Sequence, residues 1–233
     1  MQSPLPGDFE EGASVLPPEP AIAVSPMALA SPIRAERIMG VIPDFQTVRD
    51  PNAAFVPLTP KQKWSLAFRE NADPFNVASA AMAAAFSQVG NQTPKYGEGS
   101  PAYAKRFGAA LGDFGTQNIF SAGLLANLLH QDPRYYRKGP GTGVLKRAVY
   151  SVSRIAIARQ DSGAAAFNAS GVFGTALGIA ASNLYYPAGS RCATVMLGRL
   201  RSSFTGGMMG NLMSEFWPDL QKKFLRHKPA LKN

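Results

Sequence analysis

Residues 171–181 read GVFGTALGIAA, and Gly171, Gly174, Gly178 and Ala181 recur within them at spacings of three and four. Those spacings place all four on one helix face, where missing side chains let another backbone approach closely. Glycine costs a helix about 1 kcal/mol relative to alanine, so repeated glycine needs a packing reason. The pattern recurs at Ala104, Gly108, Gly112 and Gly115, and again at Gly198, Ser202, Gly206 and Gly210. Three such stripes predict helices packed backbone to backbone.

Start signals lie where such helices need them. Thr59-Pro60, Asp73-Pro74, Ser100-Pro101 and Asp132-Pro133 each set a capping side chain before a proline. A cap oxygen accepts an orphan backbone N–H, and proline in the first turn loses no hydrogen bond. The reading is helices near 60–71, 74–90, 101–130, 143–160, 169–184 and 190–216, with a charged extension to about 226. Asp132-Pro133 opens at most one turn, because Gly139-Pro140-Gly141-Thr142-Gly143 follows at once. Within 143–160, Val144, Leu145, Ala148, Val149, Val152, Ile155 and Ala156 share one broad arc, and Lys146, Arg147, Ser153 and Arg154 fall opposite. Two aromatic-proline breaks, Tyr185-Tyr186-Pro187 and Phe216-Trp217-Pro218, are each expected to end a helix. No alternating strand of useful length competes. The fold class is therefore all-α: a compact bundle of about five or six helices with Gly/Ala packing faces.

Residues 1–33 are proline-rich, acidic and aperiodic, and read as a disordered tail. Residues 34–58 carry apolar residues between prolines and read as an extended strap. The helical domain is 59–226, followed by a basic tail, 227–233. No signal peptide is recognisable, since the first basic residue is Arg34 and four acids precede the weak apolar run from Ala21 to Ala30.

The 233 residues carry a formal charge of +9, unevenly spread. Residues 1–57 hold three arginines against seven acids, and the remainder holds 21 Lys and Arg against eight acids. A field of that sign favours anionic partners, phospholipid headgroups or nucleic acid. Nucleic acid is the less favoured, because the cations are scattered and no binding module is present. Cys192, the single cysteine, excludes an intrachain disulfide framework and reads as a small buried residue.

Four stretches lack Asp, Glu, Lys and Arg: 74–94, 114–131, 162–190 and 202–214. Two are long enough to span a bilayer, yet they are rich in alanine, glycine and side-chain amides, which gain little from lipid. Packing inside a bundle, or lying on a membrane surface, suits them better.

The densest cluster of chemistry-bearing residues is His130, Asp132, Arg134, Tyr135, Tyr136, Arg137 and Lys138, followed by the glycine loop to Gly143. Cations beside flexible backbone N–H groups suit phosphate or carboxylate. The same residues also suit a structural corner in which Asp132 caps a turn and the tyrosines cover the core. No Walker loop, nucleophile elbow, catalytic constellation, metal-ligand spacing or cofactor motif is present.

Arg37-Ile38-Met39-Gly40-Val41-Ile42-Pro43-Asp44-Phe45, Leu58-Thr59-Pro60-Lys61-Gln62-Lys63, His130 through Arg137, Ser182-Asn183-Leu184-Tyr185-Tyr186-Pro187 and Glu215-Phe216-Trp217-Pro218-Asp219 occur in this order. Together they resemble an uncharacterised family of predicted envelope-associated proteins from acidobacterial-type soil bacteria. The resemblance spans about residues 35–220 and implies an exported or membrane-linked setting, with no activity attached. The expectation is a non-enzymatic, membrane- or envelope-associated helical protein whose basic loops meet anionic headgroups. The alternative is an enzyme or binding protein for a phosphorylated or lipidic ligand, with its site around 130–143.

Overall fold

Six helices account for more than half of the residues that the computed structural model describes, 37–38 and 42–226. The N-terminal tail 1–33 and the basic tail 227–233 lie outside the described residues. Helix α1 is Pro60–Asn71, α2 Pro74–Val89, α3 Gly99–Asn118, α4 Val144–Ser153, α5 Ala169–Ala181 and α6 Ala193–Arg226. From α3 the chain runs directly into a π-helical segment, Ile119–Leu125, and a last turn, Ala126–Leu128.

The first two start signals act as read. Thr59 accepts from the Gln62 backbone N–H and forms a reciprocal capping box, and Asp73 accepts from Phe75 N at 2.8 Å. The third does not, because α3 begins at Gly99, inside which Ser100 already lies. No helix follows Asp132-Pro133. Asp132 ends a strand, and its carboxylate receives Arg134 N at 2.9 Å in a local turn.

Seven short strands among the described residues are not legible in the sequence. β1 (Arg37–Ile38) pairs antiparallel with β2 (Ile42–Pro43), and β3 (Thr47–Val48) pairs parallel with β5 (Tyr135–Tyr136). β4 (Gln131–Asp132), β6 (Ile157–Gln160) and β7 (Ala165–Phe167) form an antiparallel sheet in the order β4-β6-β7. The helix expected over 143–160 therefore stops at Ser153, and its last four residues form the central strand. Partners distant in sequence decide this, since β4 precedes α4 and β7 follows the turn at Gly163.

The Phe216-Trp217-Pro218 break is also corrected: α6 continues through Pro218 to Arg226. Tyr185-Tyr186-Pro187 does lie past a helix end, three residues beyond α5. Cys192 is exposed rather than buried.

The stripes divide by fate. A Cβ on Gly174 would lie 2.4 Å from Ser121 Cα, and one on Gly178 2.6 Å from Gln117 Cα, so α5 lies directly on the α3–π backbone. A Cβ on Gly112 would lie 3.0 Å from the Tyr185 ring. On α6, a Cβ at Gly198, Gly206 or Gly210 would meet nothing within 4 Å.

The interior is unusual in composition. Among the described residues, eight of the ten buried hydrophobic ones are alanine, the others being Tyr135 and Ile179. Buried alongside them are Lys63, Asp73, Arg106, Asp132, Arg137, Arg147 and Glu215. Large apolar side chains lie outside instead, among them Phe68, Phe86, Leu128, Phe173 and Leu184. Helix α4 has its expected amphipathic arc, but the apolar side faces out, with Lys146 exposed as well. Arg147 and Ser151 point inward, while Val144, Leu145 and Val149 are 70%, 76% and 62% exposed.

Candidate functional site

The segment 130–143 winds between the strap, the small sheet, α4 and α6. Its geometry separates two groups of cations. In the first, every charge is matched. Asp132, 2% exposed, receives Arg134 Nε at 3.0 Å and Nη2 at 2.6 Å, and the Tyr136 hydroxyl at 2.7 Å. Arg134 also donates to the Val56 carbonyl at 2.6 Å, tying the strap to this corner. Burial, followed by the bond to anionic Asp132, raises the Tyr136 hydroxyl above its ordinary value.

Glu215 of α6, fully buried, organises the rest. Its carboxylate accepts from Arg147 Nε at 2.7 Å, the Tyr135 hydroxyl at 2.7 Å, and the backbone N–H groups of Lys138 and Gly139 at 3.0 Å each. Asp219, one turn on, accepts from Arg147 Nη2 at 2.6 Å and from Arg137, and both arginines also donate to the Glu215 carbonyl. Burial opposes the Glu215 charge, but the Arg147 guanidinium, the Tyr135 hydroxyl and the two N–H groups outweigh it and hold the carboxyl below its ordinary value. Gly139 is required here. Its φ is +70°, and a Cβ would strike Pro51 Cγ at 2.6 Å. This constellation of Arg137, Arg147, Glu215 and Asp219 is a clasp joining α4 and α6 to the glycine loop.

The second group is unmatched. Lys138, Arg154 and Arg159 line a cavity of about 530 Å³ with Tyr136, Tyr150 and Thr142. No described carboxylate forms an ion pair with any of the three. They lie over aromatic rings instead. Lys138 Nζ is 4.8 Å from the Tyr150 centroid, Arg154 Cζ 5.4 Å from the same ring, and Arg159 Cζ 4.3 Å from Tyr136. A ring quadrupole steadies a cation without cancelling its charge. Burial holds the Arg154 guanidinium below its ordinary value, and Arg159 adds to the effect. Asp50, on the exposed strap, also lines the cavity and accepts from Asn52 N at 2.9 Å.

Pairing places these groups. Arg159 lies opposite Asp132 in the β4–β6 register, Tyr136 opposite Val48 in β3–β5, and Arg154 caps the C-terminus of α4. Three concentrated positive charges and the Thr142 hydroxyl can hold a phosphate-bearing group, whereas the Tyr136 and Tyr150 hydroxyls already donate to Asp132 and to the Tyr136 carbonyl.

Of the residues singled out in the sequence, Tyr136, Arg137 and Lys138 line this cavity, and Lys138 supplies a free charge. Asp132, Arg134, Tyr135 and Arg137 are engaged in internal bonds. His130 is exposed, with a left-handed φ of 52°, and its carbonyl accepts from Asp161 N at 2.8 Å. Arg154, Arg159 and Tyr150 were missed. Helical periodicity places Arg154 on the polar arc of a longer helix, and only the β6 pairing brings Arg159 back beside Tyr136. Among the described residues no group of three or more His, Cys, Asp or Glu could hold a metal ion. No family model, curated protein or solved structure matches the chain.

Proposed function

We propose that this chain is a non-enzymatic protein of a membrane surface or cell envelope, which seats apolar faces in lipid and receives anionic headgroups in the Lys138–Arg154–Arg159 cavity. The observation that carries this reading is the outward-facing apolar side of α4. Its Arg147 and Ser151 are used inside the protein, its valines and Leu145 face out, and the unmatched cations lie at its edge. Covering a Val or Leu side chain with lipid is worth about 1.5–3 kcal/mol when complete. A headgroup phosphate beside the cations adds a screened electrostatic contribution of about 1 kcal/mol per charge. Among the described residues no helix is long and apolar enough to cross a membrane, and the reading is of surface seating.

The cationic cavity also favours a second reading, a binding protein or enzyme for a soluble phosphorylated ligand. Flotation of the full chain on vesicles tests both. The expected result is binding to vesicles containing phosphatidylglycerol, weaker binding to pure phosphatidylcholine, and loss of binding in Val149→Asp. Failure to float with either vesicle would overturn the membrane reading. Saturable binding of a soluble phosphomonoester under those conditions would favour the second.

A further inference from the structure

Between α1, the α3–π segment and the start of α5, a second cavity has the opposite chemistry. It encloses about 330 Å³, at the small end of the range that holds small molecules. No Lys, Arg or His lines it, so anions find no partner there. Its walls carry six side-chain amides, two serines, and a single carboxyl, Glu70.

The amides are fixed from behind: Asn71 and Asn168 spend both poles on the protein, and the others keep one. Asn118 donates to the Ala67 carbonyl at 3.0 Å and to Asn71 Oδ1 at 2.9 Å. Gln117 accepts from Ser203 Oγ at 2.8 Å, which leaves its NH2 group to the cavity. Asn168 caps α5 by accepting from Gly171 N at 2.9 Å and donates to the Ile155 carbonyl at 3.0 Å, so it serves as fixed wall only. Such walls are preorganised and present donors and acceptors side by side, the requirement for hydroxyl groups, each of which does both. Phe114, 43% exposed, adds an apolar ring to the lining. The π-helical segment supplies Ser121 and Ala122, and π-helical turns inside α-helices recur at functional sites.

We infer that this cavity binds a neutral, polyhydroxylated ligand of one or two rings, a saccharide, with the amides taking its hydroxyls and Phe114 lying against its C–H face. Burial pushes the Glu70 carboxyl up to about 7, against the opposing hydrogen bond from Asn118. Near neutral pH it is thus protonated in part and can donate as well as accept, in keeping with a neutral ligand rather than a metal cation.

Saturation-transfer NMR on the full chain against glucose, galactose, N-acetylglucosamine and maltose tests this. At least one should give saturable binding with transfer to ring C–H protons. Phe114→Ala, at an exposed position, should weaken it about tenfold and leave the thermal transition unchanged. Gln117→Leu should abolish it. Calcium should neither compete nor bind. Absence of saturable binding across the panel, or retention of full affinity in Phe114→Ala, would overturn the inference. A saccharide site and the headgroup cavity are independent, so loss of vesicle binding leaves this result untouched.

Discussion

Arg147 and Arg154 stand two turns apart on the same side of α4, and the protein treats them in opposite ways. Arg147 meets two carboxylates and a carbonyl of α6, and these partners, led by Glu215, overcome its burial and raise its guanidinium above the ordinary value. Arg154 meets a tyrosine ring and another arginine, and its guanidinium is lowered. The first holds the fold together, and the second is charge left for something else. Matched and unmatched cations side by side separate scaffold from site more clearly than exposure does, because both arginines are at least partly buried.

The largest effect should come from breaking the matched half. Glu215→Ala leaves Arg147 buried without its main counter-charge and frees two backbone N–H groups. Loss of one partner of a buried pair costs about 3–5 kcal/mol. A fall in the thermal transition of roughly 10 °C or more is expected by circular dichroism. A drop of only a degree or two would refute the clasp.

Acid should reveal the same asymmetry. Glu215, Asp219 and Asp73 all titrate below their ordinary values when folded. Each therefore binds fewer protons folded than unfolded, so its stabilisation is present above the ordinary carboxylate range and is lost as pH falls through the depressed values. Urea midpoints should decline from pH 6 towards pH 3, and Glu215→Gln should flatten that slope. Glu70 acts in the reverse sense. Its raised value favours the folded state at low pH, and this contribution is lost as pH rises through about 7. Glu70→Gln should therefore gain on the parent between pH 5 and pH 8.

The smallest change in stability is expected in the unmatched half. Arg154→Ala combined with Arg159→Ala removes no ion pair, only cation–ring contacts of about 0.5–1 kcal/mol each. The thermal transition should move by no more than a few degrees while flotation on anionic vesicles falls severalfold. A collapse of stability instead would make these residues part of the scaffold.

Much of the helical frame could be read from residues alone. Thr59 and Asp73 cap where capping chemistry puts them, and the Gly174–Gly178 stripe carries a contact that no larger residue permits. Those signals are local. Ser100 was misread because a Ser-Pro pair inside a first turn looks the same as one that starts it. Pro218 was misread because proline's local cost does not reveal the anchoring of Glu215 and Asp219 on either side of it. The site was half legible. The 130–138 cluster is dense enough to notice, but Arg154 and Arg159 join it only through α4's end and the pairing of β6.

By itself, the sequence determined that this chain is helical, where two of its helices begin, that one glycine face must be packed closely, and that the domain carries excess positive charge. Periodicity, capping and composition act over a few residues and need no fold. Only the tertiary structure decided which way α4 faces, which α6 glycines stay open, and which cations find a carboxylate. Those outcomes depend on groups more than eighty residues apart, such as Arg137 and Asp219, and an amphipathic arc specifies a face without saying what it meets.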